Sequence, residues 1–292
     1  MPLSEISKKT ALIVGSDGLL GRALADALPA AGWNVITTTR RAGEISDQSL
    51  LLDLSNNVTE WNSPAGINAS FLCAAATSLA ACRENPEQSA RVNVENTFLI
   101  ADKLVKAGAF VVFPSTNLVF DGSALQCPAD APVRQQTEYG RQKAEAERRI
   151  IGLDKTVVVR FTKIVWPDMP IVRGWIHDLK SGRAIRPFSD MVLSPISISL
   201  AVDVLIQVAE KKLAGIVQVS GDRDISYADL ARHIAERIGA PPELVQPVRI
   251  QDSRIQIEAT PAHTTLDTAR LESELGIRAP DVWETIDSVF NL

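Results

Sequence analysis

The chain has few of the residues on which disulfide frameworks and metal sites depend. It contains three cysteines and three histidines among 292 residues, and aromatic residues make up 5% of it. The cysteines are too few and too scattered for a disulfide framework or a CxxC metal site. The histidines show no HExxH spacing. We therefore expect no bound metal and a reduced, cytoplasmic protein.

Long apolar runs and an excess of positive charge are also missing. No run approaches the roughly 20 apolar residues that span a bilayer, and the apolar run after the first lysines is too short for the core of a signal peptide. Lys and Arg number 30 against 35 Asp and Glu, which gives a formal net charge of −5. A nucleic-acid interface needs clustered positive charge. We expect neither a nucleic-acid partner nor a membrane partner.

Short apolar segments alternate instead with segments of helical periodicity. The predicted strands cover residues 11–14, 33–38, 50–53, 70–74, 109–113 and 156–161, and the predicted helices between them cover 22–28, 87–107 and 139–151. Such alternation is typical of an α/β fold, with a doubly wound parallel sheet of the Rossmann type and helices on both faces. Ligands of such sheets bind beyond the carboxyl ends of the strands.

A glycine-rich turn joins the first predicted strand to the first predicted helix. Gly15, Gly18 and Gly21 have the spacing GxxGxxG. The first glycine permits a tight turn, the second lets a pyrophosphate approach the backbone, and the third allows the helix to pack closely on the strand. Between a strand and a helix this pattern favours a dinucleotide site over a merely structural turn. The predicted site also includes the residues between the glycines, namely Ser16, Leu19 and Leu20.

The end of the second predicted strand indicates which dinucleotide binds. An acidic residue there usually binds the ribose 2′-hydroxyl of NAD, whereas arginine accommodates the 2′-phosphate of NADP. Here Arg40 and Arg41 follow the strand, and no acidic residue comes before Glu44. Two arginines can bind a phosphate between them, and the alternative is a solvated basic loop. We predict that NADP(H) is preferred and that NAD(H) is the second option.

Three further segments are assigned to the cofactor site. Asp53, followed by Leu54, ends the third strand, where its carboxylate either accepts a hydrogen bond from the adenine amino group or caps the next segment. The small residues after the fourth strand either let a ribose pass close by or simply pack tightly. For Asn93 there are two alternatives: its side chain holds a water or a backbone kink near Lys143, or it is exposed to solvent. The small residues are Ala74, Ala75 and Ala76.

The alternation weakens after about residue 165, where prolines become frequent. Further helices are predicted at residues 171–182, 199–213, 227–238, 266–275 and 282–290, and one strand at 216–219. We expect residues 1–165 to form an NAD(P)-binding Rossmann domain, which part of 196–222 rejoins. Residues 166–292 are expected to form mostly a smaller substrate-binding lobe.

Tyr139 and Lys143 form a candidate catalytic pair. They lie four residues apart in a predicted helix, so their side chains share one face. A free tyrosine has a pKa near 10, and a neighbouring cation lowers it. The phenol is then suited to give a proton to a carbonyl oxygen. Such a pair is common on surface helices, but a nucleotide-binding half on the same chain favours the catalytic interpretation. Ser115 and Thr116 follow the fifth strand, where a hydroxyl can hydrogen-bond the substrate carbonyl beside Tyr139.

These segments together resemble a known family. The chain is similar to the extended short-chain dehydrogenase/reductases, and among them to the dTDP-4-dehydrorhamnose reductase family of nucleotide-sugar reductases, over nearly its whole length. The most specific stretches are STNLVFDG at residues 115–122 and YGRQKAEAE at residues 139–147. The family commonly has Asp-Tyr where this chain has Asn117 and Leu118. It often has Arg-Pro where this chain has Thr260 and Pro261.

The resemblance implies NAD(P)H-dependent reduction of a 4-keto group on a nucleotide-activated deoxysugar, in carbohydrate biosynthesis. Tyr139 would be the proton donor, Lys143 would hold the nicotinamide ribose and tune Tyr139, and Thr116 would orient the carbonyl. Tyr139 and Lys143 would then contact the cofactor as well as the substrate. The expected partner is a nucleotide sugar, and a homodimer is the candidate assembly.

There are two alternatives, a second kind of enzyme and a protein of a different class. A nucleotide-sugar epimerase or dehydratase of the same superfamily would keep its cofactor and consume no NADPH overall. A dehydratase would also need an acid–base pair beside Thr116, where the chain has Asn117 and Leu118. A non-catalytic NAD(P)-binding regulatory subunit would keep the fold without needing a phenol tuned for proton transfer.

Overall fold

A computed structural model of the chain describes residues 9–253 and 255–292. In those residues the strands are β1 (Thr10–Val14), β2 (Asn34–Thr39), β3 (Ser49–Leu51), β4 (Ala69–Leu72), β5 (Phe110–Thr116), β6 (Thr156–Phe161), β7 (Lys163–Val165), β8 (Val192–Leu193), β9 (Pro195–Ser197), β10 (Gly215–Val219) and β11 (Ile225–Ser226). The helices are α1 (Leu19–Ala27), α2 (Leu79–Glu84), α3 (Pro86–Ala90), α4 (Thr97–Lys106), α5 (Glu138–Ile151), α6 (Pro170–Lys180), α7 (Ile198–Lys211), α8 (Tyr227–Arg237), α9 (Ala269–Leu275) and α10 (Val282–Phe290).

A seven-stranded sheet forms the centre of the Rossmann-type fold, in the order β3-β2-β1-β4-β5-β6-β10. β1 pairs in parallel with β2 and β4, with Ile13 opposite Thr37 on one side and Phe71 on the other. The strand order reverses between β1 and β4, because the chain runs outward to β3 and then returns to the other side of β1. That reversal is where doubly wound sheets bind ligands. The predicted fold class is confirmed.

The described residues divide into two compact units, each with its own core. Unit 1 comprises the chain as far as Thr116, Glu138–Arg160 and Val202–Val217. Unit 2 comprises Asn117–Thr137, Phe161–Ala201 and Gln218–Leu292. An apolar cluster of unit 1 lies between the sheet and helices α4 and α5, and it includes Leu12, Leu104, Phe113 and Ile150. The corresponding cluster of unit 2 includes Val172, Trp175, Leu230, Ile234 and Ile286.

Residues 117–137 cluster with unit 2, although the sequence analysis placed them in the first domain. Their backbone pairs with a distant segment, since His263 N donates to Gly122 O at 2.9 Å and Cys127 N donates to Thr265 O at 3.1 Å. The division of labour between a cofactor domain and a substrate lobe stays a prediction. The predicted ranges also include residues 1–8 and 254, which lie outside the described residues.

Several elements differ from those predicted. The helix expected over 87–107 consists of α3, a π-helical segment (Arg91–Asn96) and α4. β3 ends at Leu51, so Asp53 lies in the following loop, and β5 continues to Thr116. Strands β7, β8, β9 and β11 have two or three residues each, too few for an alternating pattern to reveal. Among the described helices, none is long and apolar enough to cross a membrane.

Candidate active site

Two glycines of the turn between β1 and α1 are required by its geometry. Gly15 has φ +89°, and a Cβ added there would lie 2.6 Å from Ala74 Cα. A Cβ added to Gly21 would lie 2.3 Å from Gly15 O. The turn therefore packs on the chain after β4, and α1 packs on the turn, as the spacing predicted. At Gly18 the nearest atom to an added Cβ is 3.6 Å away, so the protein itself leaves space beside this glycine.

The turn is also held to the end of β2. Gly15 N donates to Thr38 Oγ1 at 3.0 Å. Ser16 donates to Thr38 O through its N at 3.2 Å and through its Oγ at 3.1 Å. The Ser16 side chain is thus engaged with β2. Leu19 and Leu20 are the first residues of α1, and Leu19 is 43% exposed.

A cleft of about 280 Å³ opens at the carboxyl ends of β1, β2 and β4. Its wall brings together four segments that the sequence analysis had assigned to a cofactor site. The wall residues are Gly15, Asp17, Gly18, Thr38, Arg40, Arg41, Leu52, Asp53, Leu54, Ser55, Cys73, Ala74, Ala75, Ala76 and Val92. The remaining residues assigned to that site lie outside this wall, namely Ser16, Leu19, Leu20, Gly21, Asn93, Tyr139 and Lys143.

Six wall residues were not predicted from the sequence. Asp17, Leu52, Ser55 and Cys73 adjoin predicted site residues, and Thr38 lies two residues before Arg40. The rule that ligands bind at carboxyl strand ends would have included them. Val92 had no such signal, because the π-helical segment brings it to the cleft.

The end of β2 carries both signs of charge. Arg40 and Arg41 are exposed, and Arg41 Nη1 lies 2.8 Å from Glu44 Oε1. The Asp17 carboxylate accepts hydrogen bonds from Thr39 Oγ1 at 3.1 and 3.2 Å and from Arg40 N at 3.3 Å. An acidic group therefore lies at the end of β2, although β2 itself contributes none.

Asp53 has the capping role that was one of its two alternatives. Its Oδ1 accepts from Ser55 N at 2.9 Å and from Ser55 Oγ at 2.7 Å, and its Oδ2 accepts from Asn56 Nδ2 at 3.1 Å. These bonds fix the turn after β3 while Asp53 still lines the cleft. Leu54 beside it is buried.

Asn93 is buried, so the solvated alternative is wrong. It is 2% exposed and lies in the π-helical segment. Its Nδ2 donates to Ala76 O at 2.9 Å and to Gln142 Oε1 at 2.8 Å, while its Oδ1 accepts from Ala76 N at 2.8 Å. The Asn93 side chain thus connects the loop after β4 to α5, at the residue that precedes Lys143.

Lys143 lies buried between α5 and β5. It is 3% exposed, and its Nζ donates to Pro114 O at 2.7 Å. The same Nζ lies 3.7 Å from the centroid of the Phe113 ring, in the geometry of a cation–π contact. Burial lowers the pKa of Lys143 to about 7, and the negative charge of Glu147 opposes that shift.

The pKa of Tyr139 moves in the opposite direction from the one expected. Burial raises it above its ordinary value, and a charge on Cys82 would raise it further. In this structure the Lys143 ammonium donates its hydrogen bond to Pro114 O. The prediction that Lys143 makes the phenol acidic is therefore wrong for this structure. The phenol keeps its proton at neutral pH.

Two hydroxyls lie at the end of β5, next to α5. Ser115 is buried, and its Oγ has no hydrogen-bond partner among the described residues. Thr116 is the last residue of β5 and is half-buried. Helix α5 packs on β5, so Thr116, Tyr139 and Lys143 lie on two neighbouring elements of unit 1. Such a set can hold a proton donor and a positive charge beside a bound carbonyl group.

Comparison with known proteins identifies the class. The sequence matches the family described as RmlD substrate binding domain over residues 9–291. The fold is that of the extended short-chain dehydrogenase/reductases, and the chain belongs to the RmlD substrate binding domain family. The expectation that it is an NAD(P)-dependent oxidoreductase of this type is confirmed at the level of the family.

Individual relatives are distant. The chain is 26% identical over 272 residues to dTDP-4-dehydrorhamnose reductase of Mycolicibacterium smegmatis, covering 91% of this chain and 80% of that protein. It is 25% identical over 295 residues to methionine adenosyltransferase 2 subunit beta of Bos taurus, covering 94% and 85%. The crystal structure of dTDP-4-dehydrorhamnose reductase from Bacillus anthracis in complex with NADP has a TM-score of 0.84 at 20% identity, covering 99% of both chains. The Clostridium acetobutylicum enzyme has a TM-score of 0.82 at 24% identity, covering 97% and 98%.

Proposed function

We propose that this protein is an NADPH-dependent reductase of a 4-keto nucleotide-activated deoxysugar. The observation that carries the proposal is the position of Lys143, a buried ammonium between β5 and α5, in the unit that also forms the glycine-turn cleft. A charge in such a site costs folding free energy, so a chemical role for it is the simplest account of its presence. Membership of the RmlD substrate binding domain family supports the same conclusion.

The cleft fits a dinucleotide. Space beside Gly18 and the N-terminus of α1 suit a pyrophosphate, because free N–H groups and the helix dipole favour negative charge there. Arg40 and Arg41 are the candidate partners of a 2′-phosphate, and Ala74 to Ala76 leave room for a ribose. The reduced nicotinamide supplies a hydride when the cofactor is bound.

The chain's own residues supply the proton and the positioning. Tyr139 donates its phenolic proton to the substrate carbonyl oxygen as the carbonyl carbon accepts the hydride. Because burial raises the Tyr139 pKa, the donor is fully protonated at neutral pH, but the phenolate left behind needs a nearby positive charge. Lys143 supplies that charge when protonated. Thr116 orients the carbonyl oxygen through its hydroxyl.

The substrate class follows from two observations. The stretches at residues 115–122 and 139–147 resemble those of nucleotide-sugar reductases, and the relative from Mycolicibacterium smegmatis is named dTDP-4-dehydrorhamnose reductase. Residues 117–122 belong to unit 2, where Gly122 packs against Pro261 and His263. We infer that unit 2 contributes the sugar-recognising surface.

The test is oxidation of NADPH with a panel of 4-keto nucleotide sugars. Tyr139→Phe should reduce turnover by about 10²–10⁴-fold while NADPH binds as in the wild type. The matched control is Tyr227→Phe, because Tyr139 and Tyr227 are the two tyrosines of the chain and Tyr227 lies in α8 of unit 2. Bound NADPH with no panel member reduced would contradict the proposal.

A second candidate function has a specific observation in its favour. Relatives from Bos taurus, Rattus norvegicus and Xenopus tropicalis are named methionine adenosyltransferase 2 subunit beta. Under this alternative the chain binds the dinucleotide and assembles with another polypeptide. Co-purification with a methionine adenosyltransferase, together with NADPH binding and no NADPH oxidation, would favour it over the reductase.

A further inference from the structure

We propose that Asp17 determines how strongly the cleft discriminates between NADPH and NADH. The Asp17 carboxylate opposes the two arginines at the end of β2, so the protein accepts both cofactors with a small preference for NADPH. The inference rests on the proposed function, because it concerns the same cofactor site.

Asp17 lies where Rossmann-type sites distinguish the two cofactors. In Rossmann-type sites the residues at the end of β2 distinguish a 2′-hydroxyl from a 2′-phosphate. The chain has Arg40 and Arg41 there, and no acidic residue before Glu44. The structure nevertheless brings an acid to this point from the glycine turn. Asp17 lies 3.1 Å from Thr39 Oγ1 and 3.3 Å from Arg40 N, and it lines the same cleft as both arginines.

Asp17 and a 2′-phosphate would compete for the same hydrogen-bond donors. A carboxylate only accepts hydrogen bonds, so it can accept one from a ribose hydroxyl. A 2′-phosphate also only accepts, and it would need the Thr39 O–H and the Arg40 N–H that Asp17 now uses. The two anions would also repel each other across the few ångströms of the site.

Acidic side chains offset part of the positive charge at the end of β2. Arg40 and Arg41 attract a phosphate, but Arg41 is already paired with Glu44 at 2.8 Å. Asp17 and Glu44 together offset much of the positive charge that the two arginines bring. A site of this kind favours the phosphate weakly, and removal of the Asp17 charge should strengthen that preference.

The obvious alternative is that Asp17 only holds the turn against β2. The substitution Asp17→Asn separates the two roles, because asparagine keeps one acceptor oxygen for Thr39 or Arg40 and loses the charge. A purely structural role would make the affinities for both cofactors change together. A role in discrimination makes their ratio change.

The experiment measures dissociation constants for NADPH and for NADH by calorimetric titration of the full chain. In Asp17→Asn we expect NADPH to bind about tenfold more tightly, on the scale of one partly screened charge pair, and NADH to bind within about twofold of the wild type or more weakly. The control is Asp26→Asn, which removes one exposed charge from helix α1, the helix that follows the glycine turn. It should leave both constants unchanged, and Asp17→Ser serves as a second variant if the asparagine chain does not fold.

The outcomes separate the two proposals. An unchanged ratio in Asp17→Asn, or equal loss of both affinities, overturns the role of Asp17 and leaves the reductase proposal standing. If the wild type binds neither nucleotide, both proposals fail. If Asp26→Asn shifts the ratio as Asp17→Asn does, the effect is one of net charge, and the inference is wrong.

Discussion

At the scale of single residues, Lys143 is the group whose charge matters most near neutral pH. Burial lowers its pKa to about 7, and Glu147 on the same helix opposes the shift. Cys73 belongs to the cleft wall, and burial raises the pKa of its thiol to about 12. Tyr139 also stays protonated, because burial raises its pKa. Among these three groups, Lys143 alone changes charge near pH 7.

This arrangement predicts the pH dependence of the reductase. Lys143 is protonated below its pKa of about 7, and the protonated form stabilises the phenolate that Tyr139 leaves. We expect kcat/KM for reduction to be constant at low pH and to fall as the pH rises through about 7. Rates measured across this range with saturating NADPH would show the descending limb.

The control for this prediction is Lys143→Arg. Arginine keeps its charge across the range, so this variant should be slower than the wild type and should lack the descending limb. A wild-type rate that is independent of pH, or one that rises through the same range, would contradict the assigned role of Lys143.

At the scale of elements, the π-helical segment shapes one side of the cleft. Asn93 lies in it and holds Ala76 and Gln142 by hydrogen bonds of 2.8–2.9 Å. The cleft residues at 74–76 therefore depend on a contact between two elements that are far apart in sequence. The same segment brings Val92 to the cleft wall.

Asn93→Ala should show this dependence. The substitution removes buried hydrogen bonds and leaves Ala76 N and O without their partner. We expect the free energy of unfolding to fall by about 2–3 kcal/mol and NADPH to bind more weakly. Chemical denaturation and titration measure the two effects. Glu95→Ala, at an exposed position of the same segment, should change neither quantity. Equal behaviour of the two variants would contradict the role given to the Asn93 hydrogen bonds.

The elements that sequence predicted well are those whose signal is local. β1 and β6 are buried strands in which consecutive apolar residues dominate, and the turn at Gly15 to Gly21 follows from glycine spacing. The π-helical segment left no such signal, because apolar positions at 90, 94, 98, 101 and 105 fit a continuous helix equally well. Its stabilising contact is with Gln142, 49 residues away.

In the candidate site, too, the residues with a local sequence signal were predicted and those that depend on distant contacts were not. Gly15, Arg40 and Ala74 were predicted because each follows a strand, and each lines the cleft. The place of Asp17 at the end of β2 could not be predicted, since it depends on contacts with Thr39 and Arg40 across the fold. The direction of the Tyr139 pKa was also beyond the sequence, because it depends on the burial of the phenol in the folded chain.

At the scale of the whole molecule, the cleft and the three catalytic candidates belong to unit 1. Gly15, Arg40, Asp53 and Ala74 line the cleft within that unit, as do the other wall residues. Unit 2 has a separate core, which α8 and α10 help to build. Cofactor binding should therefore act on unit 1 directly.

Hydrogen exchange with and without NADPH measures this localisation. Binding should slow exchange of the amides at residues 15–21, 38–41 and 73–76 and leave those of α8 and α10 unchanged. Protection concentrated in α8 and α10 would mean that the dinucleotide binds elsewhere.

The cofactor should also stabilise the folded state. At a concentration 100 times the dissociation constant, we expect the free energy of unfolding to rise by about 2.7 kcal/mol.

The central claim is that a hydride from the bound cofactor and a proton from Tyr139 reduce a sugar ketone. Incubation with NADPH deuterated at the transferring position of the nicotinamide, and mass analysis of the product, tests it most directly. We expect the wild type to yield a nucleotide sugar that carries one deuterium at the reduced carbon, and Tyr139→Phe to yield almost none. Product without deuterium, or the same labelled product from Tyr139→Phe at the wild-type rate, would contradict the account.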